Sequence, residues 1–239
     1  MTAATRIEVA ATSTAGFFQD MWRIYRKVLD NNYADHREAY AALRERLQLQ
    51  RPGFTFLDIA CGDASFSTAA LAGLPLGRYI GIDQSQAALD DAAANIAGLP
   101  CAAELRQGDF TEWLTASEDP TDVAWIGLSL HHLRFDRKLE VMQHLRRLVV
   151  PSGTLLIYEN TCRNWESRAG WMKRWGRQRN HFPELTGEEW LLATTHVQCM
   201  DYPETVSSWR KLGRRAGFGR MQELYRSRSD LFRLFSFSA

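Results

Sequence analysis

Between Phe54 and Glu159 the sequence alternates short apolar runs with longer helical stretches, and this alternation constrains the fold more than any other feature. The apolar runs are typical of β-strands, and the stretches between them are long enough for amphipathic helices. Such an order predicts a parallel sheet whose strands are joined by crossover helices. The five predicted strands are Phe54–Ala60, Tyr79–Asp83, Ala103–Gln107, Val123–Leu128 and Gly153–Glu159.

The C-terminal part of the chain follows a different pattern. Glu204–Ala216 is predicted as a helix ended by Gly217, and Met221–Tyr225 and Leu231–Phe237 are predicted as strands. A short turn joins these two strands, so they must be antiparallel. We therefore predict an α/β fold: a Rossmann-like seven-stranded sheet (five parallel strands plus a C-terminal antiparallel pair) with helices on both faces and a helical cap.

Helical regions are predicted on either side of the parallel strands. From Phe17 to Leu49 the pattern is almost continuously helical, with breaks near Asn31, Asn32 and Asp35. The interval from Asn160 to Pro203 holds four tryptophans and no strand pattern. The predicted regions are an N-terminal helical cap (1–50), a core of parallel strands (51–160), a helical cap insertion (161–203) and a C-terminal helix with the strand pair (204–239).

The composition is ordinary for a globular protein, with 45% hydrophobic and 24% charged residues. No run of about 18 apolar residues is present, so we expect no membrane span. The N-terminus lacks the basic start and apolar run of a signal peptide. The four cysteines lie far apart without a CxxC pair, which argues against a zinc ribbon or a disulfide framework and favours a cytoplasmic location.

The first predicted strand runs into a turn of small residues, from Asp58 through Ala60, Cys61 and Gly62 to Ala64. Small residues allow a ligand to approach the backbone and the start of the next helix. A dinucleotide site would require G-x-G-x-x-G, whereas this turn contains one glycine and acidic residues that would repel a phosphate. The turn therefore suits a ligand with a cationic or neutral polar group. A simple turn with solvated aspartates explains it equally well.

Carboxylates also end the second and third strands. Asp83 lies 25 positions after Asp58, a spacing at which an acid can accept hydrogen bonds from both hydroxyls of a ribose. The alternative is that Asp83 or Ser85 caps the following helix, and we expect Ser85 to do so. Asp109 precedes Phe110, a pair that could hold the edge and face of a base. A turn aspartate beside a core phenylalanine is the alternative there.

Together these strand ends resemble the class I S-adenosylmethionine-dependent methyltransferases, in motif order and spacing over most of the chain. In that family the first motif reads acid-x-G-x-G-x-G, and the second strand ends in an acid that binds ribose. This sequence departs from the pattern at Ala60 and Ala64, where the family usually has glycine. If either position required a positive φ, alanine would cost about 1–2 kcal/mol.

The resemblance implies S-adenosylmethionine as cofactor and assigns residues to its parts. Asp58 to Ala64 would hold the methionine portion, Asp83 and Gln84 the ribose, and Asp109 and Phe110 the adenine. N-terminal helices close over the cofactor in related enzymes, so the caps are natural lids. The predicted cofactor contacts are Asp58, Ala60, Cys61, Gly62, Asp83, Gln84, Asp109, Phe110, Ser129, Tyr25, Tyr33 and His36. Phe17, Phe18 and Trp22 are further lid residues.

The fourth predicted strand is followed by a histidine pair, His131 and His132, and the fifth ends in Glu159. The pair resembles the family's fourth motif, which borders the methyl-transfer site. One imidazole could serve as a general base, because its usual pKa is near neutrality. The other explanation is that one ring lines the pocket while the other packs. Glu159 could orient an acceptor or be a turn residue. Neighbouring side chains point in different directions and no third ligand stands at a metal spacing, so we predict no metal site.

The charge of the chain is uneven, and its basic excess lies late. Residues 161–239 carry 14 Lys and Arg against 8 Asp and Glu, whereas residues 1–160 carry 15 against 20. Cys162 to Phe182 alternates basic residues with tryptophans. We favour an amphipathic cap helix with its tryptophans on the core. If the basic face is functional, an anionic small molecule is the simplest acceptor.

The sequence therefore predicts a methyltransferase that acts on a small molecule by in-line displacement. An RNA or protein methyltransferase is the alternative within enzymes, although nucleic acid is disfavoured by the mild charge. A binding module that keeps the cofactor without turnover is the alternative outside them. A dehydrogenase is disfavoured by the missing glycines. The acceptor atom and the oligomeric state stay open.

Overall fold

The computed structural model describes residues 23–239, and its largest element is a twisted sheet. Apolar β-branched and aromatic residues dominate its central strands, as expected for strands covered on both faces. Seven strands form the continuous sheet: β1 (Phe54–Ile59), β2 (Leu76–Asp83), β3 (Ala102–Gln107), β4 (Thr121–Gly127), β5 (Val149–Cys162), β7 (Arg220–Arg226) and β8 (Phe232–Ser238). A two-residue strand, β6 (Glu204–Thr205), pairs with the end of β5.

The strand order is β3-β2-β1-β4-β5-β8-β7. Strands β1 to β5 pair in parallel, and β8 lies antiparallel to both β5 and β7. The predicted α/β sheet with five parallel strands and an antiparallel pair is therefore confirmed. The order reverses at β1 and β4, and the carboxyl ends beside such a switch point are where open α/β sheets bind ligands.

Helices cover both faces of the sheet and the carboxyl ends of its strands. Helix α1 includes residues 23–30. The others are α2 (His36–Leu47), α3 (Ser65–Leu71), α4 (Gln86–Ile96), α5 (Phe110–Ala116), α6 (Phe135–Leu148), α7 (Arg168–Gly176), α8 (Gly187–Met200) and α9 (Val206–Ala216). Single 3₁₀ turns occupy Leu130–His132 and Arg179–His181.

Two buried clusters, one on each side of the sheet, form the core. One contains Phe56, Tyr79 and Trp125 with residues of α2, α3 and α7. The other contains Leu57 and Ile80 with residues of α6 and α9. Consecutive residues of β1 thus point to opposite faces, as the pleat requires.

The predicted break between the N-terminal helices is present within the described residues. Residues 31–34 form a turn, and Asn32 and Asp35 both have positive φ. These residue types tolerate the left-handed region better than most, which explains why the chain turns here. Phe17, Phe18 and Trp22, predicted as lid residues, lie outside the described residues, as does the rest of 1–22.

The interval 160–203 differs from the sequence prediction at its start. Strand β5 continues past Glu159 to Cys162, because β8 pairs as far as Asn160 and β6 pairs with Thr161 and Cys162. A strand that extends beyond its parallel neighbours has no local sequence signal. The prediction that no strand lies in this interval is wrong for these three residues.

Part of the basic, tryptophan-rich segment, Arg168–Gly176, folds as a helix with buried tryptophans, whereas the sequence favoured a helix over the segment. Trp171 and Trp175 are buried, while Trp165 is exposed. Its arginines are also used structurally: Arg174 forms an ion pair with Glu166, and Arg168 donates to the carbonyl of Asp201 at 2.7 Å. No helix among residues 23–239 is long and apolar enough to cross a membrane.

Candidate active site

The turn after β1 is built from residues with positive φ. Ala60, Gly62 and Ala64 have φ values of 54°, 56° and 54°. The Ala64 amide donates to the carbonyl of Cys61 at 2.9 Å, which closes the turn before α3. Both positions where glycine would be expected therefore hold an alanine in the left-handed region, a conformation that costs about 1–2 kcal/mol for a residue with a Cβ.

Asp83, at the end of β2, fixes this turn to the sheet. One carboxylate oxygen accepts from the amide of Gly62 and the other from the amide of Ser85, both at 2.9 Å. The hydroxyl of Ser85 in turn accepts from the Ala88 amide and caps α4, as predicted. A carboxylate has about four acceptor positions, so Asp83 keeps acceptor capacity on the side where a ligand would lie.

A cavity of about 220 Å³ lies between this turn and the N-terminal helices. Its walls come from the turn after β1, the ends of β2 and β4, and α1 and α2. The lining residues are Tyr25, Leu29, His36, Tyr40, Ala60, Cys61, Gly62, Asp63, Ala64, Phe66, Ser67, Asp83, Ser85, Ala88, Gly127, Leu128 and Ser129. We call it the first cavity.

His36 is the most unusual of these lining residues. It is buried, and neither ring nitrogen has a hydrogen-bond partner among the described residues. Burial lowers the pKa of His36 to about 4, so the ring is neutral at pH 7 and offers one donor and one acceptor. Buried polar atoms are normally paired. An orphaned imidazole on the wall of the first cavity therefore points to a polar ligand.

A second cavity, of about 180 Å³, adjoins the first and shares Tyr25 and Leu128 with it. Most of its wall is apolar, including Ile24, Trp175 and Phe232. The polar side chains on its wall are His131, His132, Asn160, His196 and Asp201. An apolar pocket with a few convergent polar groups is typical of a small-molecule site.

Glu159 of β5 holds His131 in place from behind this wall. It is fully buried and accepts from His131 Nδ1 at 2.7 Å, and from the amides of Ser129 and Leu130 at 2.7 and 2.5 Å. An ionised carboxylate can only accept, so Nδ1 carries the proton and Nε2 of the neutral ring is left with a lone pair. Burial opposes charge on His131, but Glu159 and Asp201 outweigh it and raise its pKa.

Asp201 completes the polar part of the second cavity. Its Oδ2 accepts from the side-chain amide of Asn160 at 2.8 Å. Its Oδ1 lies 3.8 Å from Nε2 of His131 and 3.6 Å from Nδ1 of His132. Burial raises the pKa of Asp201 to about 6. Burial and the neighbouring His131 lower the pKa of His132 to about 3.

This arrangement corrects the argument against a metal site. The 3₁₀ turn at Leu130–His132 places the two neighbouring rings 4.1 Å apart, although adjacent side chains were expected to diverge. The third ligand type, Asp201, comes from a segment 69 residues after His132 and therefore has no signature in the local spacing.

Comparisons with known proteins agree with this geometry. The family model described as a methyltransferase domain matches residues 56–153. Demethylmenaquinone methyltransferase of Desulfitobacterium hafniense is 35% identical over 109 residues, which are 44% of this chain and 42% of that protein. The chain spans less than half the length of the curated relatives it matches.

Solved structures show the same fold at low identity. Mitomycin 7-O-methyltransferase has a TM-score of 0.57 at 15% identity, over 91% of this chain and 60% of that one. An O-methyltransferase family 2 protein of Planctomyces limnophilus, solved with apigenin, has a TM-score of 0.55 at 18% identity, over 80% and 51%.

Residues 56–153 therefore match a methyltransferase domain, and the described chain has the fold of class I S-adenosylmethionine-dependent methyltransferases. Its family match spans β1 to the start of β5 and includes the turn after β1, Asp83 and the histidine pair. Residues 23–55 and 154–239, which supply α1, α2 and most of the second cavity, lie outside that match.

Most of the predicted cofactor contacts lie together in the structure. Those on the first cavity wall are Tyr25, His36, Ala60, Cys61, Gly62, Asp83 and Ser129. His131 and His132 lie on the second cavity, and Glu159 lies behind it. Their functional roles remain predictions.

Five predicted contacts lie off the wall of the first cavity. Asp58 is buried beneath it and accepts from the hydroxyl of Tyr79 at 2.8 Å. Asp109 caps α5 through the Thr111 amide at 2.7 Å, and Phe110 packs in the core. Gln84 lies beside Asp109, at 3.5 Å. Tyr33 packs against Phe182 with tilted rings, 4.6 Å between ring centroids. Of the predicted ribose and adenine contacts, Asp83 alone therefore lies among the described residues of the first cavity wall.

Sequence reasoning missed several lining residues. Tyr40, Phe66, Ser67 and Leu29 line the first cavity, and His196 and Asp201 line the second. The helical periodicity of 36–47 placed Tyr40 on a helix, but nothing local indicated which face meets the cavity.

Proposed function

We propose that this methyltransferase transfers a methyl group from S-adenosylmethionine to a small, largely apolar acceptor bound in the second cavity. The observation that carries the proposal is that Tyr25 and Leu128 line both cavities, so the two cavities lie on either side of shared residues. Methyl transfer needs donor and acceptor in line and shielded from water, because positioning supplies most of the catalysis.

The residues of the first cavity fit the cofactor. Asp83 has acceptor capacity for ribose hydroxyls, and the orphaned ring of His36 can bond a polar group. Aromatic side chains such as Tyr25, Tyr40 and Phe66 surround the space, and aromatic faces favour cations. When bound, the cofactor supplies an electrophilic methyl group on a sulfonium.

The second cavity supports an acceptor with an apolar body and one polar group. Among residues 23–239, its lining includes apolar side chains from α1, α7 and α8 but no lysine or arginine. An anionic acceptor, which the basic segment first suggested, therefore finds no cationic side chain among these described lining residues. An oxygen acceptor is supported by two proteins of similar fold. One is mitomycin 7-O-methyltransferase, and the other is an O-methyltransferase family 2 protein solved with apigenin.

His131 is the residue that we propose to accept the acceptor's proton. Its Nε2 lies 3.8 Å from Oδ1 of Asp201, which also lines the cavity, and Glu159 holds the tautomer in which Nε2 has a lone pair. A base held in this way contributes about 10²–10⁴-fold to a rate. We further propose that residues 23–50 and 161–203 act as the cap that excludes water.

The test is transfer of a tritiated methyl group from S-adenosylmethionine to a panel of phenols, other hydroxylated aromatics, RNA and protein. We expect methyl transfer to at least one of the hydroxylated aromatic compounds. Tyr25→Ala should reduce this transfer more than Tyr33→Ala, because Tyr25 lines both cavities and Tyr33 is not among the described lining residues of either. Transfer to RNA or protein alone would refute the small-molecule acceptor. Cofactor binding without any transfer would favour a binding module.

A further inference from the structure

Three donor atoms on the wall of the second cavity face one another. One ligand atom from each of His131, His132 and Asp201 lies within 4.8 Å of the other two. The two measured nitrogen–oxygen separations are 3.8 and 3.6 Å. A tetrahedral ion with ligands at about 2.1 Å holds them about 3.4 Å apart. Shifts of a few tenths of an ångström would therefore bring both nitrogen–oxygen pairs to this separation.

The carboxylate oxygen at the centre of this group has no hydrogen-bond partner among the described residues. Asp201 is buried, and its Oδ1 is unpaired although its Oδ2 is bonded to Asn160. Leaving a buried oxygen of a carboxylate unpaired is costly. Both separations from the imidazole nitrogens are too long for hydrogen bonds. A cation between the three atoms would satisfy the oxygen and both nitrogen lone pairs.

The surroundings orient the donors as metal ligands are oriented elsewhere. The nitrogen of His131 that faces away from the group donates to Glu159. Asn160 fixes the second oxygen of Asp201. Metal-bound histidines almost always donate their other ring N–H to a carboxylate or carbonyl.

We propose that His131, His132 and Asp201 bind a divalent first-row transition ion, such as Zn²⁺ or Fe²⁺. Two imidazole nitrogens and one carboxylate oxygen suit these ions. Mg²⁺ and Ca²⁺ require mainly oxygen ligands. Three protein ligands leave at least one coordination position, and all three residues line the second cavity.

That open position gives the ion a task, which rests on the proposed function. A polar atom of the acceptor could coordinate the ion, so the ion would position the acceptor beside the first cavity. The Nε2 lone pair of His131 cannot bind an ion and a proton at once. The loaded protein would therefore position the acceptor through the ion, and the ion-free protein would use His131 as the base.

The experiment is a titration of the chelator-treated chain, residues 1–239, with Co²⁺ and Zn²⁺, without methyl donor or acceptor. We expect one ion per chain, with the intense visible absorption of low-coordinate Co²⁺ and displacement of Co²⁺ by Zn²⁺. His132→Ala and Asp201→Asn should each weaken binding by at least ~100-fold, and Glu159→Gln by ~10–100-fold. His181→Ala and Cys199→Ser alter an exposed histidine and an exposed cysteine outside the group and should leave the affinity unchanged.

Circular dichroism and melting temperature establish that each variant is folded, and Asp201→Asn preserves the shape of the side chain if His132→Ala does not fold. No saturable binding at millimolar Co²⁺ would overturn the proposal, and so would binding that survives both ligand variants. A protein that transfers methyl groups but binds no ion refutes this inference alone. A protein that binds the ion but transfers no methyl group refutes only the proposed function.

Discussion

The two alanines of the turn after β1 allow a sharp test of how this turn is built. Ala60 has a φ of 54°, where a Cβ costs about 1–2 kcal/mol. Replacing it with glycine removes that strain but adds about 0.5–1 kcal/mol of backbone entropy to the unfolded chain. Ala60 is only half-buried, so the lost methyl group costs less than the ~0.8 kcal/mol of a fully buried one.

These contributions predict that Ala60→Gly raises the free energy of unfolding by about 0.5 kcal/mol. Ala64→Gly relieves the same strain, but Ala64 is almost fully buried, at 2% exposure. The loss of its methyl contact cancels the gain, and we expect a change near zero. The contrast between the two substitutions follows from their burial alone.

Ala93→Gly is the matched control, because Ala93 is exposed on α4 and has helical geometry. There glycine should destabilise by about 1 kcal/mol, the usual cost in a helix interior. Urea denaturation gives the free energies, and the control variant should melt about 2–4 °C lower while Ala60→Gly melts slightly higher than the parent. If Ala60→Gly destabilised as much as the control, Ala60 would not occupy the left-handed region and the reasoning would fail.

Three further predictions concern carboxylates. Asp83→Ala should weaken S-adenosylmethionine binding by about 2 kcal/mol or more in calorimetry, because charge-assisted hydrogen bonds are lost. Asp90→Ala, which alters an exposed carboxylate, should leave the affinity unchanged. If Asp83→Ala bound the cofactor as tightly as the parent protein, the ribose would lie elsewhere. Glu159→Gln should reduce the rate of methyl transfer by about 10²–10⁴-fold with unchanged cofactor affinity, because the new amide group favours the other tautomer of His131. The control Glu204→Gln breaks an ion pair with the buried Lys138 and should not have this effect. A rate for Glu159→Gln within tenfold of the parent would contradict the role of His131 as general base. Burial raises the pKa of Asp58 to about 7, so the folded protein keeps a proton that the unfolded chain loses near pH 4. The free energy of unfolding should therefore fall by up to about 4 kcal/mol as the pH rises between these values. Asp58→Asn should flatten this pH dependence in urea denaturation at several pH values, and an unchanged dependence would show that Asp58 stays ionised.

The sequence predicted the sheet well because its signals are local. Each apolar run is short, its flanking residues break the strand, and Ser85 caps its helix through a bond three residues away. The second cavity has no such signal. Asp201 meets His131 across 70 positions, and the contact depends on how α8 ends and on Arg168, which holds the carbonyl of Asp201. Contacts of this kind are set by packing, so a single sequence does not predict them.

The connection after β4 explains how the two cavities keep their relative position. Leu128 has a φ of 50°, an uncommon value for a bulky side chain, and its amide donates to the carbonyl of Tyr158 at 2.7 Å. The amides of Ser129 and Leu130 donate to Glu159, the residue that also holds His131. Strained residues persist where their surroundings hold them in place. The segment 128–131 is thus bonded to β5 at each of these points. Leu128 lines both cavities, Ser129 lines the first, and His131 is the proposed base in the second. An in-line reaction that loses rate with errors of about 1 Å requires this kind of rigid connection.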